Sequence, residues 1–183
     1  MLRGQSIENA FFTNVFIAAI WHCASFLICV YIDSDFFDAE KRMYRPHKWE
    51  KDGRFYRDVL KINLWKDLLP QYTGKDGFSK DHIDNTSVEY IDQFILETCR
   101  GEWNHTINCC LTFVLLAINE PSMGIILSLC VNAGNLPFVI IQRYNRFRLQ
   151  KLRRILVKKA GSHNRNNQTA AASSAAVPKE NSK

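Results

Sequence analysis

Uncharged apolar stretches alternate with dense blocks of charge along this chain. Residues 11–32, FFTNVFIAAIWHCASFLICVYI, contain no Asp, Glu, Lys or Arg. Residues 103–141 carry a single charge, Glu120, inside a turn-like Asn-Glu-Pro-Ser. The acids and bases are gathered into 33–102 and into the segment after Gln142. Such segregation points to membrane spans joined by aqueous segments. As helix, 11–32 reaches about 33 Å, enough to cross the hydrocarbon core. A cleaved signal peptide fits less well: Arg3 and the amino terminus are opposed by Glu8, the apolar run is too long, and no small-x-small site closes it. The stretch is therefore read as an uncleaved anchor. Residues 103–118, shorter at about 24 Å, and 123–141 form two further spans, and the short turn between them makes them antiparallel neighbours.

Between the anchor and this hairpin, residues 33–53 are polar and irregular, with Pro46 and Gly53 as breakers. RFYRDVLKINLWKDLL, residues 54–69, reads as an amphipathic helix, with Phe55, Val59, Ile62, Trp65 and Leu69 recurring at spacings of three and four. Such a face packs on a soluble core or lies in the headgroup interface. Pro70 ends it, QYTGKDG is a loop, and a second amphipathic helix over about 86–102 leads into the hairpin. The pattern predicts an all-α integral membrane protein with about three transmembrane helices and amphipathic interfacial helices. Residues 1–160 form one domain, and 161–183, rich in Asn, Ser and Ala, form a disordered polar tail.

Charge orients this arrangement. The mean hydropathy of −0.21 would by itself suggest a soluble protein, but it averages over segregated blocks. QRYNRFRLQKLRRILVKK, residues 142–159, has eight Lys and Arg and no acid, whereas 33–103 has twelve bases against fifteen acids. A basic run directly after a span holds the cytoplasmic side, beside anionic headgroups. The expected location is the cell membrane, multi-pass, with the carboxyl terminus and residues 33–102 cytoplasmic. No nucleic-acid module accompanies the basic run, so nucleic acid is not an expected partner. Six cysteines lie mostly in or beside apolar segments, without a CxxC pair or zinc spacing, and act as small apolar residues. Asn85, Asn104 and Asn167 head glycosylation sequons that this topology leaves unused.

The hairpin brings two polar strings together, ETCRGEWNH at 97–105 and QRYNRFR at 142–148. Glu97, Gly101 and His105 fall on one helix face, with Glu102 three residues before His105. A histidine, two carboxylates and several guanidiniums at one depth can supply general-base catalysis and anion binding. The same set reads equally as headgroup-level anchors and ion pairs. In the last span Asn132 and Asn135 are polar at membrane depth, Pro137 removes a helical hydrogen bond, and Gly134 would permit close helix approach. Glu102-x-x-His105 is half of a carboxylate-bridged metal motif whose second half is missing, so no metal is expected. His47 and Asp52 have the His-x4-Asp spacing of glycerolipid acyltransferases, without that family's surroundings.

Several of these strings occur in a known combination. Glu50-Lys-x-Gly53-Arg-Phe, Trp65-Lys66, Glu97-Thr98-x-Arg100-x-Glu102-x-x-His105, Asn135-x-Pro137 and Gln142-Arg143-Tyr144-Asn145-Arg146-x-Arg148-Leu149 together resemble the glycosyl-4,4′-diaponeurosporenoate acyltransferase family of staphyloxanthin-type carotenoid biosynthesis. The resemblance runs from about Trp49 to Arg154, with Gly101, Thr106 and Phe147 departing from the family pattern. It implies transfer of a fatty acyl group onto a sugar hydroxyl of a glycosylated carotenoid. The co-substrate would be an acyl thioester, acyl-CoA or acyl carrier protein, with no bound cofactor. The partners would be a membrane lipid or glycosylated carotenoid acceptor and other carotenoid-pathway enzymes. On that reading His105 is the base, Glu102 or Glu97 orients it, and Arg100, Arg143 and Arg146 hold donor phosphates or the oxyanion. Asn135, Gln142, Asn145, Trp65 and Lys66 complete the substrate-binding set. An acyltransferase acting on another glycolipid, and a non-catalytic membrane protein binding a partner or anionic lipid through its basic face, stand beside it.

Overall fold

Helix caps and apolar faces account for the order of elements in the computed structural model, which describes residues 6–69 and 87–175, with side chains described as far as residue 162. The described residues contain no strand. The first helix, α1 (Ile7–Tyr31), starts at Ser6, whose hydroxyl accepts from the Asn9 amide, 3.4 Å. Short 3₁₀ turns carry the chain to α2 (Arg54–Asp58). Ser87 caps α3 (Val88–Cys109) by accepting from the Tyr90 amide, 3.2 Å. After a break at Cys110 come α4 (Leu111–Ile118) and α5 (Pro121–Ala175), the latter opening on proline, which has no amide proton to leave unsatisfied.

The antiparallel hairpin forms as expected, with α3 and α4 both packed along α5. Its register reads from matched side chains: His105 meets Asn135 and Phe138, Gly101 meets Gln142, Cys99 and Glu102 meet Arg146, and Asp92 meets Arg153. Leu149 seals the far end against Ile91, Phe94 and Ile95. The helix α1 packs on α3 and α4 and is held by polar contacts. Ser25 donates to Asn108 (2.7 Å), the Trp21 indole to the Ile107 carbonyl (3.1 Å), and Asn14 and Asn119 exchange side-chain hydrogen bonds of 2.7 and 2.8 Å.

Among the described residues two helices, α1 and α5, are long and apolar enough to cross a membrane, and both turn apolar side chains outward, among them Phe12, Phe16, Ile126 and Leu129. The expected third span is not a single helix long and apolar enough to cross. Residues 103–118 are divided between the end of α3 and the eight-residue α4, which is only about 12 Å long. The division falls where the Cys110 amide turns back to the carbonyls of Thr106, Ile107 and Asn108.

The amphipathic helix expected over 54–69 also breaks, after Asp58. Lys61 takes φ 49°, and the Trp65 indole donates to the Leu60 carbonyl (2.9 Å) that the broken helix leaves over. Phe55, Leu60, Trp65 and Leu69 still pack on Ile141 and Tyr144 of α5. Gly134 does not bring helices together, since a Cβ there would meet nothing within 4 Å. The close approach is at Gly124, where a Cβ would lie 3.1 Å from the Leu115 carbonyl of α4. α5 runs through Pro137 and continues to Ala175, into the first part of the segment expected to lack order.

The Asn14–Asn119 pair yields a test of how α1 docks. Asn14→Ala and Asn119→Ala should each lower the unfolding temperature of the purified protein, and the double variant should be little worse than either. The coupling expected from a double-mutant cycle is about 1 kcal/mol, the scale of interhelical side-chain hydrogen bonds in membranes. Strict additivity would show that α1 is held elsewhere.

Candidate functional site

Arg143 and Arg146, one turn apart on α5, point into the protein and are 9 and 3 % exposed. Burial of two guanidiniums costs several kcal/mol each, on the order estimated for ions in protein interiors, unless carboxylates and carbonyls surround them. Both conditions are met. The Arg143 Nε and one terminal nitrogen bond the two Glu50 oxygens at 2.7 and 2.9 Å, a bidentate fork, and its other terminal nitrogen bonds Glu102 at 2.7 Å. It also donates to the carbonyls of Met43 (3.4 Å) and Arg45 (3.2 Å). Arg146 bonds the other Glu102 oxygen and the Tyr44 carbonyl, and lies over the Tyr44 ring at 5.4 Å.

Glu50 completes this cluster because of a sharp turn. Lys51, Asp52 and Gly53 all take left-handed conformations, φ 50°, 55° and 83°, which swing the chain away directly after Glu50. At Gly53 a Cβ would also stand 3.1 Å from the Phe147 Cβ of α5. The Glu50 carboxylate is fully buried and further receives the Tyr56 hydroxyl and the His47 amide. Burial pushes its pKa up, but hydrogen bonds from Arg143, Tyr56 and His47 and the Arg143 charge outweigh it, and the pKa lies below the usual carboxylate value. Burial and the bond to Glu50 push the Tyr56 hydroxyl up.

A second polar constellation lies further along the hairpin. His105 Nδ1 is 3.0 Å from Asn135 Oδ1, and the ring stacks on Phe138 with centroids 4.7 Å apart and planes 10° from parallel. The Asn135 amide is oriented by its own nitrogen, which donates to the Val131 carbonyl at 2.9 Å. Its oxygen therefore faces the imidazole and accepts from Nδ1.

The other residues singled out from sequence take various places. Glu97 pairs with Arg100 at 2.9 Å, Glu102 is held by the two arginines, and Asn135 is hydrogen-bonded to His105. Gln142 is buried against Gly101, where a Cβ would come within 2.9 Å of its amide, and Gln142 Oε1 has no partner among the described residues. Asn104 Oδ1 and Arg100 Nε are likewise buried without partners. Asn145 is half-buried on α5 between the two arginines. Trp65 and Lys66 stand apart from both constellations, Trp65 in the aromatic cluster on α5 and Lys66 paired with Asp67. Burial pushes the Cys99 thiol up to about 11 despite Arg146 beside it, which leaves it un-ionised and a poor nucleophile. Among the described residues no three of His, Cys, Asp and Glu converge as metal ligands. Glu50, which pairs with Arg143, was not singled out as a site residue. It lies in an irregular segment whose pattern carries no periodicity to mark it.

This hairpin of helices, with its ionisable groups at one end and a histidine held by an amide within it, belongs to a small helical enzyme of the acyltransferase class. Residues 40–155 match the family described as glycosyl-4,4'-diaponeurosporenoate acyltransferase, so the chain belongs to that family. It is 25% identical over 134 residues to a glycosyl-4,4'-diaponeurosporenoate acyltransferase of Staphylococcus aureus (strain MRSA252), covering 72% of this chain and 81% of that relative. It is 26% identical to the protein of the same name from strain Newman, with the same coverage. No solved structure matches.

The buried ion cluster sets a stability test. Arg143→Met, which strands Glu50, should lower the unfolding free energy by about 3–5 kcal/mol. Because the folded-state pKa of Glu50 is depressed, its contribution is present above the unfolded value of about 4.3 and is lost as pH falls through the lower folded value. Thermal unfolding followed across acidic pH should show a smaller acid-side loss in Glu50→Gln than in the parent. Equal acid-side loss would remove Glu50 from that titration.

Proposed function

We propose that this acyltransferase moves a fatty acyl group from a thioester donor, acyl-CoA or acyl carrier protein, onto a sugar hydroxyl of a glycosylated carotenoid, with His105 as general base. The observation that carries the assignment is the His105–Asn135 hydrogen bond. Nδ1 is held by Asn135 Oδ1, and on this reading Nε2 is the nitrogen that takes the proton. Nε2 removes the proton of the acceptor hydroxyl as its oxygen attacks the thioester carbonyl. The tetrahedral oxyanion collapses, the C–S bond breaks, and the imidazolium returns the proton to the departing thiolate. Asn135 is a positioning residue in this scheme. Gln142 Oε1 and Asn104 Oδ1, buried acceptors without donors, are complementary to the hydroxyls of a sugar. Arg143 spends its donors on Glu50, Glu102 and two carbonyls and Arg146 is bound to Glu102, so both serve as the frame, while Arg100, bound to Glu97 through one terminal nitrogen, is the guanidinium offered to an anion.

The same reading places the enzyme in the cell membrane as a multi-pass protein with its carboxyl end cytoplasmic. Residues 121–141 of α5 are about 32 Å long, the thickness of the hydrocarbon core, and the eight-base run follows directly. An acceptor with an apolar tail and a sugar head would reach His105 from within the bilayer.

Two measurements test this. His105→Ala and His105→Gln should both lose acylation of glycosylated carotenoid in membranes by about 10²–10⁴-fold at undiminished protein level, the scale of general-base catalysis. Asn135→Ala should lower kcat more than it raises KM. Full activity in both histidine variants would exclude His105 as the base. A reporter fused after Lys159 should be cytoplasmic and one inserted at Pro121 external; a carboxyl-terminal reporter outside the cell would overturn the topology.

A further inference from the structure

On the outer side of the Glu50 turn, α2 and the cytoplasmic stretch of α5 enclose a groove of about 130 Å³ between Arg54, Arg57, Arg148 and Lys151, with Asp52 at its edge and Phe147 in its wall. We infer that this groove binds the phosphate of an anionic membrane lipid. The charges favour an anion. Four cations line the groove, and among the described residues Asp52 there and Asp58, which pairs with Arg57 at 2.7 Å, offset them. The Arg54 Nε donates to the Lys51 carbonyl (3.2 Å), and Arg148 lies over the Tyr144 ring (5.8 Å), so both guanidiniums are held beside the groove while remaining exposed. Guanidiniums positioned in this way match phosphate oxygens.

Depth favours a lipid as the source of that phosphate. Arg148 follows Ile141, the last apolar residue of the α5 span, by seven residues, about 10 Å along the helix and so within the headgroup layer. The segment that supplies Arg54 and Arg57 continues into Val59, Leu64 and Leu68, which are 63, 79 and 81 % exposed although apolar. That segment packs on α5 at Ile141 and Tyr144, on the bilayer side of the groove. Acyl chains would cover Val59, Leu64 and Leu68 while the phosphate of the same lipid entered between the cations, the arrangement of an interfacial anchor. This site needs the membrane placement but not the acyl-transfer chemistry.

The experiment uses the purified full chain in a neutral detergent and follows its thermal unfolding as lipid is titrated in. Phosphatidylglycerol should raise the unfolding temperature saturably, and phosphatidylcholine should not. Arg148→Gln with Lys151→Gln should weaken the apparent affinity for phosphatidylglycerol by about tenfold or more, given the contribution of each basic residue near anionic headgroups. Lys158→Gln with Lys159→Gln, an equal change of charge further along α5, should leave that affinity within about twofold of the parent. Equal weakening by the two double variants would reduce the effect to general charge and overturn the site. A shift produced by coenzyme A or pyrophosphate, absent with phosphatidylglycerol and abolished by Arg148→Gln with Lys151→Gln, would overturn the lipid assignment in favour of a soluble phosphate. Because the readout is binding, its failure leaves the assignment of His105 untouched, and an inactive but lipid-responsive protein would do the reverse.

Discussion

Arg143 of α5 reaches two carboxylates from different parts of the chain, Glu50 in the turn after the anchor and Glu102 on α3. A lone guanidinium at that depth would be expelled toward water, so the three segments must close around it together. Arg146 repeats the demand one turn further on, through the second oxygen of Glu102. The rotation of α5 about its axis is thereby set. Asn135 precedes Arg146 by eleven residues, three helical turns, and therefore shares its face. Fixing Arg146 against α3 delivers Asn135 to His105, a neutral hydrogen bond that could not set the register of two long helices by itself.

This division of labour separates charge from chemistry. The four ionised groups of the cluster satisfy one another, and a substrate could recruit Arg143 only by uncovering Glu50 or Glu102. The pair formed by His105 and Asn135 has no such debt of charge. Its protonation pattern is set by an amide whose orientation is itself set by the Val131 carbonyl. The general-base role proposed for His105 would use that property, an imidazole of fixed position.

Much of this arrangement is legible in the sequence, for identifiable reasons. A charge-free run, a Pro-containing turn and a second charge-free run dictate a hairpin, and a hairpin brings 97–105 beside 142–148 whatever the details. What escapes is what periodicity does not encode. Glu50 is placed by three consecutive left-handed residues, two of them not glycine, and composition gives no sign of that turn. Hydropathy smooths 103–118 into one span, although Asn104, His105, Thr106 and Asn108 make the first part of it as polar as it is apolar and the helix is interrupted at Cys110. The helical face of 54–69 is correctly apolar, yet Lys61 interrupts it, and the same side chains reach α5 from short turns instead. Glycine alone also misleads: Gly134 faces nothing, while Gly101 makes room for Gln142.

That last contact bears on specificity. Any side chain at position 101 would displace the Gln142 amide, so the glycine keeps a buried carbonyl oxygen in place between the two helices. A buried acceptor without a donor is costly, about 1–3 kcal/mol by the usual measure, and is retained where something else satisfies it. Hydroxyl groups are donors, and a sugar offers several. Under the proposed function, an acceptor whose hydroxyls satisfied the oxygens of Gln142 and Asn104 would be held on the stretch of α3 that carries His105. A substrate lacking those hydroxyls would leave both oxygens unpaired, and discrimination of that kind is stronger than any apolar pocket achieves against a missing methylene.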